Sequence, residues 1–200
     1  TRAFWVCRDE FPDDITAFDG VLITGSPASV TSGDAWVERL DGLIRDIIAA
    51  RQPLFGACFG HQAIAKALGS DIIRNPQGWA HGALAVKRTG SKPWSGPDQD
   101  LILYGSHIEQ VAAPPKGAQI LFSSQGCENA GFAINDHVFT IQHHPEMSDQ
   151  FIADLVEEFA EDIGADVTVR ARKSLSKKAD TRPFAEEIAA FFEHAQGQGA

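Results

Sequence analysis

Residues 53–69, "PLFGACFGHQAIAKALG", leave the chain few architectures to choose from. "PLFGA" (53–57) is a short apolar run with strand character, and "GHQAIAKALG" (60–69) reads as a helix ending on a glycine suited to a C-cap. Only one tight corner, Gly56-Ala57-Cys58-Phe59-Gly60, separates them. A strand that turns so abruptly into a helix is half of a βαβ unit, the building block of parallel sheets. Upstream, "FWVC" (4–7) and "GVLIT" (20–24) predict two further buried strands. Between them and the corner, "DAWVERLDGLIRDIIAARQ" sets Trp36, Leu40, Leu43, Ile44, Ile47 and Ile48 at helical spacing, with Pro53 as the stop.

The middle, roughly 71–142, changes character. "GALAVKRT", "LILYGS", "QILFSS", "GFAIN" and "HVFTIQ" predict strands separated by Gly, Pro and Asn turns. Two stretches with apolar stripes, "DQFIADLVEEFAEDIG" and "PFAEEIAAFFEHA", predict helices that pack on the rest. The basic run "RARKSLSKK" (170–178) reads as a solvated helix face. The expected fold is α/β: an open, mostly parallel twisted sheet with helices on both faces and a β-rich middle segment. We expect one domain over 1–200, with 165–200 as a C-terminal helical extension.

Composition narrows the function. A net charge of −10 disfavours nonspecific binding to nucleic acid or to an anionic membrane surface. No apolar run approaches the ~20 residues needed to span a bilayer. Cys7, Cys58 and Cys127 are too sparse for a disulfide framework and fit a reducing, cytoplasmic setting. Cys7 is expected in the core, and Cys127 in the core or at the surface, with a place near the pocket as the alternative.

Cys58 is different. A Gly-x-Cys-x-Gly corner between strand and helix has the form of a nucleophile elbow, in which bulk-free neighbours allow a strained backbone at the nucleophile. The helix N-terminus behind it favours thiolate and any oxyanion formed nearby. The same pentapeptide could equally be a tight turn whose cysteine fills the core. A thiol nucleophile also needs a base, and the base an orienting group. "TIQHHPEM" (140–147) offers both just past a strand end, with Pro145 fixing His144 relative to Glu146. Neighbouring side chains on an extended strand point to opposite faces, so His143 and His144 cannot both reach one sulfur. His144, next to Pro145-Glu146, is the expected base.

"GACFGHQ" and "QHHPE" together resemble the class I, triad-type glutamine amidotransferases, in particular the glutaminase domain of GMP synthase. The resemblance covers about residues 19–163. It implies Cys58 as nucleophile, His144 as general base and acid, and Glu146 as the residue orienting His144. "ITGSPASV" (23–30) is similar to the family's glycine-rich loop, implying an oxyanion hole from the backbone N–H groups of Gly25 and Phe59. Gln62 falls at a glutamine-contacting position. "GSHIEQV" (105–111) implies Ser106 and His107 near the pocket. "ENAGFAI" (128–134) implies that Asn129, Gly131 and Phe132 hold the substrate's α-amino and α-carboxylate groups. His61 and His143 are packing residues by the same match.

Three departures stand out. Gly25-Ser26-Pro27 replaces the family's Gly-Gly-Pro, Glu109 stands where an Asp is frequent, and the match begins after the family's first strand and helix. The implied activity is cleavage of the γ-glutamyl amide of glutamine, or of a γ-glutamyl compound, through a thioester, without metal or organic cofactor. The amidotransferase resemblance also implies a separate synthetase subunit as a possible recipient of ammonia. The alternative function is a catalytically silent domain that binds glutamine or regulates a partner; a further alternative is another type of thiol hydrolase.

Overall fold

Cys58 is the single residue between a strand and a helix, as the sequence requires. In the computed structural model, which describes residues 1–197, the elements follow in the order β1 (Val21–Ile23), α1 (Ala35–Ala49), β2 (Leu54–Ala57), α2 (Phe59–Ala67), β3 (Ile72–Arg74), β4 (Ala80–Arg88), β5 (Leu101–His107), β6 (Glu109–Val111), β7 (Gln119–Ser124), β8 (Cys127–Ile134) and β9 (Val138–Ile141). Helices α3 (Asp149–Glu158), α4 (Ala160–Ile163), α5 (Ala165–Ser174) and α6 (Thr181–Gly197) complete the chain.

The main sheet has the strand order β1-β2-β9-β8-β7-β4-β5, and β3 pairs with β6 in a separate ribbon. Parallel pairing holds β1, β2 and β9 together. The β-rich middle joins the same sheet through antiparallel pairs, because short turns can return a strand only in that sense. Register then positions the chemistry. Ala57, the last residue of β2, lies beside Ile141, the last of β9. Cys58 and the Gln142–Glu146 segment therefore emerge together at one carboxyl edge of the parallel strands, where open α/β sheets carry their sites.

Helices cover both faces. Along β2, Leu54 joins the cluster under α1 and α2, while Phe55 and Ala57 join the cluster under α6. Along β9, Val138 and Phe139 divide in the same way. Val37, Leu40, Ile44 and Ile47 form the inner stripe of α1. Phe184 and Phe191 anchor α6, with ring centroids 5.9 and 5.6 Å from Phe139. Burying each such side chain stabilises the fold by roughly 1.5–3 kcal/mol. A buried ion pair fixes α6 as well: Arg88 of β4 donates from both Nη atoms to the Glu187 carboxylate at 3.1 and 2.8 Å.

Several local expectations are corrected. "FWVC" is not a strand: Val6–Arg8 form a 3₁₀ turn that ends at left-handed Asp9, whose N–H donates to the Val6 carbonyl. Four apolar residues are too few for periodicity to separate strand from turn. Trp5 and Cys7 of that run are exposed, so Cys7 is not core. β1 is an edge strand with Leu22 half exposed. The helix expected over 149–164 breaks at Phe159 into α3 and α4. The basic run starts within α5, whose Thr168 and Ala171 are buried while Arg170, Arg172 and Lys173 face solvent. Cys127 is fully buried. Among the described residues no helix is long and apolar enough to cross a membrane.

Candidate active site

Cys58 has φ 49° and ψ −102°, a backbone that non-glycine residues avoid at a cost of about 1–3 kcal/mol. Its surroundings hold it there. The Cys58 N–H donates to the Ile141 carbonyl at 2.9 Å, and the Cys58 carbonyl accepts from the Gln62 N–H at 3.1 Å. Both flanking glycines are required by close approach. A Cβ on Gly56 would come within 2.7 Å of the Gly60 backbone, and one on Gly60 would strike the Ile23 carbonyl. β1, β2 and α2 thus meet in contact at the elbow. Phe59 opens α2, so its N–H belongs to the first turn, whose donors have no acceptor within the helix.

His144 reaches the same point from β9. Its N–H donates to the Tyr104 carbonyl at 2.8 Å, which ties the segment beyond β9 to β5. Its Nδ1 lies 2.6 Å from Glu146 Oε1, and its ring and the Cys58 side chain both lie against Gly25. Burial opposes charge on this imidazole. Hydrogen bonds to Cys58 and Glu146, and the negative charge of both, outweigh it and push its pKa up to about 10. A Cβ on Gly25 would sit 2.6 Å from His144 Cε1, so only glycine lets the loop after β1 lie against this ring.

Three other imidazoles stand behind His144, and burial keeps each of them neutral. His61 falls to about 3 and His107 to about 4, while His143 is held well below the ordinary value. Neutrality matters here, because a second cation would oppose the charge on His144. His143 is fully buried and its ring nitrogens make no hydrogen bond. It is a packing residue, as is His61, whose Nδ1 sits 2.9 Å from the Thr140 hydroxyl.

A cavity of about 470 Å³ opens over the cysteine. Gly25, Cys58, Phe59, Gln62, Ser106, His107, His144 and Glu146 all line it. Asn129, Gly131 and Phe132 do not, and their polar groups are engaged within the β8 region. Asn129 Nδ2 donates to the Val111 and Ala112 carbonyls, and the Phe132 N–H donates to the Thr140 hydroxyl. A Cβ at Gly131 would come within 2.7 Å of the Thr140 carbonyl, leaving no room for a ligand on that side. The two unusual residues have local roles. The Ser26 hydroxyl accepts from the Ala28 N–H at 3.1 Å, and the Glu109 carboxylate accepts from the Ser29 hydroxyl at 2.7 Å, tying the loop to β6.

The sequence reading missed Gln142. This fully buried side chain points its Nε2 at Cys58 Sγ, 3.7 Å away, and its Oε1 accepts from Gln62 Nε2 at 3.2 Å. It lies within "QHHPE", but nothing in a single sequence marks it as facing the sulfur.

The family pattern described as Glutamine amidotransferase class-I matches residues 5–177. The chain belongs to this family. Among relatives of this amidotransferase domain, a glutamine amidotransferase-like protein of Schizosaccharomyces pombe is 29% identical over 88% of the chain and 69% of its own length. Gamma-glutamyl peptidase 3 of Arabidopsis thaliana is 29% identical over 77% of the chain and 66% of its own. The glutamine-hydrolyzing GMP synthase of Caldanaerobacter subterraneus is 28% identical over 70% of the chain, but only 27% of that protein is covered. The chain thus spans about two thirds of the first two relatives and about a quarter of the third. Its fold matches the crystal structure of a glutamine amido transferase from Methylobacillus flagellatus with a TM-score of 0.75, at 24% identity, over 94% of the chain and 82% of that structure.

Proposed function

We propose that the chain hydrolyses γ-glutamyl amides through a thioester on Cys58. One observation carries this reading: Cys58, His144 and Glu146 line one cavity, with His144 Nδ1 2.6 Å from the Glu146 carboxylate. The Cys58 sulfur attacks the side-chain carbonyl of the γ-glutamyl group, its proton resting on His144. Negative charge develops on the carbonyl oxygen, and the backbone N–H groups of Phe59 and Gly25 stabilise it. His144 gives its proton to the departing nitrogen as the C–N bond breaks. It then takes a proton from water, whose oxygen cleaves the thioester and frees glutamate. Glu146 holds the Nδ1–H tautomer throughout. Gln62, Ser106 and His107, which line the cavity, would contact the glutamyl group. No step requires a metal or organic cofactor.

The relatives support the substrate class, since one carries gamma-glutamyl peptidase in its name and another glutamine-hydrolyzing. A synthetase partner would receive the ammonia if glutamine is the physiological substrate. The silent-domain alternative would be favoured by loss of the cysteine or histidine, and the chain keeps both Cys58 and His144. The deciding measurement is release of ammonia or amine by the purified protein from glutamine and a set of γ-glutamyl dipeptides. Catalysed release from at least one is expected; none from any would refute the reading.

Glu146 gives the mechanism a pH signature. His144 must be protonated to give up a proton, so the alkaline limb of kcat/KM follows its raised pKa. Glu146→Gln removes two of the influences that raise it, so the limb should move to lower pH. Because the Glu146 side chain is 52% exposed, the rate loss should be about 10²-fold, short of the ~10⁴-fold seen for a buried triad carboxylate. A pH profile identical to that of the unaltered protein would remove Glu146 from the proposed role.

A further inference from the structure

Helix α3 carries two apolar rows, one fully buried on the sheet and a second packed there only in part: Met147 and Leu155 are partly buried against the Ile152 cluster, Ile163 is buried, and Phe151 is 51% exposed. Ile152 and Val156 are fully buried, and Ile152 packs with Ala83 of β4 and Tyr104 of β5. The second row is Met147, Phe151, Leu155, Phe159 and Ile163, recurring every fourth residue from the approach to α3 through α4. Four-residue spacing stacks these side chains along one side of a helix. All five line the cavity that holds Cys58 and His144.

The row has company from β4. Trp79, just before that strand, lines the same cavity and meets the His81 ring edge-on at 6.5 Å. His81 also lines the cavity; it is 4% exposed, and neither ring nitrogen makes a hydrogen bond of good geometry. Burial holds this imidazole below its ordinary pKa, so it is a neutral group able to donate or accept.

The glutamyl end of a substrate has charged amino and carboxylate groups and a short methylene chain, and it gains little from such a wall. Ammonia, the leaving group from glutamine, would leave the wall bare. The cavity also falls in the range of roughly 300–1,000 Å³ typical of pockets for drug-sized ligands. We infer that the second apolar row of α3, with Trp79, receives the amine component of the substrate, and that this component carries a large apolar or aromatic group. The substrates are then γ-glutamyl amides of hydrophobic amines or amino acids, with His81 meeting a polar atom of the amine component. This rests on the hydrolase reading above. As Cys58 sulfur bonds to the γ-glutamyl carbonyl carbon, the carbon–nitrogen bond breaks and the hydrophobic amine leaves with a proton from His144. Water then releases glutamate and restores the thiol.

The test compares kcat/KM for γ-glutamyl-phenylalanine, γ-glutamyl-glycine and glutamine in the unaltered protein, Leu155→Ala and Phe151→Ala. Phe151 is 51% exposed, so its replacement leaves the core intact if Leu155→Ala folds poorly. The unaltered protein should prefer the phenylalanine compound to the glycine compound by at least about 10-fold, the scale on which apolar pockets discriminate. That ratio should fall several-fold in each folded variant. Equal rates on the two dipeptides, an unchanged ratio in the variants, or glutamine as the fastest substrate would overturn this inference alone. No amine from any of the three would take the hydrolase reading down with it.

Discussion

Cys58→Ala is expected to lower turnover of the best γ-glutamyl substrate by about 10⁶-fold, the scale on which removal of a triad nucleophile is felt. The residue is 6% exposed at a point where the sheet edge, the N-terminus of α2 and His144 converge. Of the three cysteines only Cys58 lines the cavity; neither Cys7, exposed in the N-terminal turn, nor buried Cys127 does. Burial pushes the Cys127 thiol up to about 12, which leaves it inert. The substitution removes one atom and keeps the backbone at positive φ, which alanine tolerates no better and no worse than cysteine. Melting temperature should therefore change by only a few degrees. Substrate quenching followed by intact-mass measurement should show a γ-glutamyl adduct on the unaltered protein and none on the variant. Turnover within about tenfold of the unaltered protein would assign the chemistry elsewhere.

The elbow was legible because its signals are local. Gly56 and Gly60 flank a cysteine between a strand and a helix, and the close approach that demands Gly56 comes from that helix itself, while the one at Gly60 comes from Ile23 of β1. His144 and Glu146 were legible for a similar reason: two residues around a proline at a strand end carry their own geometry. What lay beyond reach depends on pairing partners far along the chain. "ENAGFAI" resembles a substrate-binding segment, yet β8 lies between β9 and β7, where its polar groups meet β9 and the chain around β6 instead of a ligand. Gln142 faces the sulfur because the Ala130 carbonyl accepts its N–H at 2.7 Å, a contact no periodicity encodes. The apolar stripe of α3 was visible as a stripe. A hydropathy pattern shows that a helix has an apolar side, but it does not separate a row facing the sheet from a row facing a cavity. "FWVC" failed for want of length, since four residues cannot display a period.

The largest stability effect is expected away from the cavity. Arg88 and Glu187 have side chains only 2% exposed, joined by two hydrogen bonds, and the Arg88 guanidinium also lies 4.8 Å from the centre of the Phe122 ring. Arg88→Ala would leave Glu187 buried with its partner gone, a change that destabilises by roughly 3–5 kcal/mol. For a chain of this size that corresponds to a fall of about 6–20 °C in melting temperature. The pair ties α6 to β4, and α6 packs Phe184 and Phe191 on Phe139 of β9. β9 in turn sets the height of Gln142 and His144 beside Cys58, so loosening α6 should also reduce activity below the melting transition. The cause can be separated from loss of contact area by Arg88→Met combined with Glu187→Leu, which replaces the ion pair with apolar volume. Buried pairs exchanged this way are often neutral or stabilising, so the double variant should recover most of the lost melting temperature. Thermal melts of the two variants decide the point: a single variant within about 3 °C of the unaltered protein would show that the pair does not hold α6 in place.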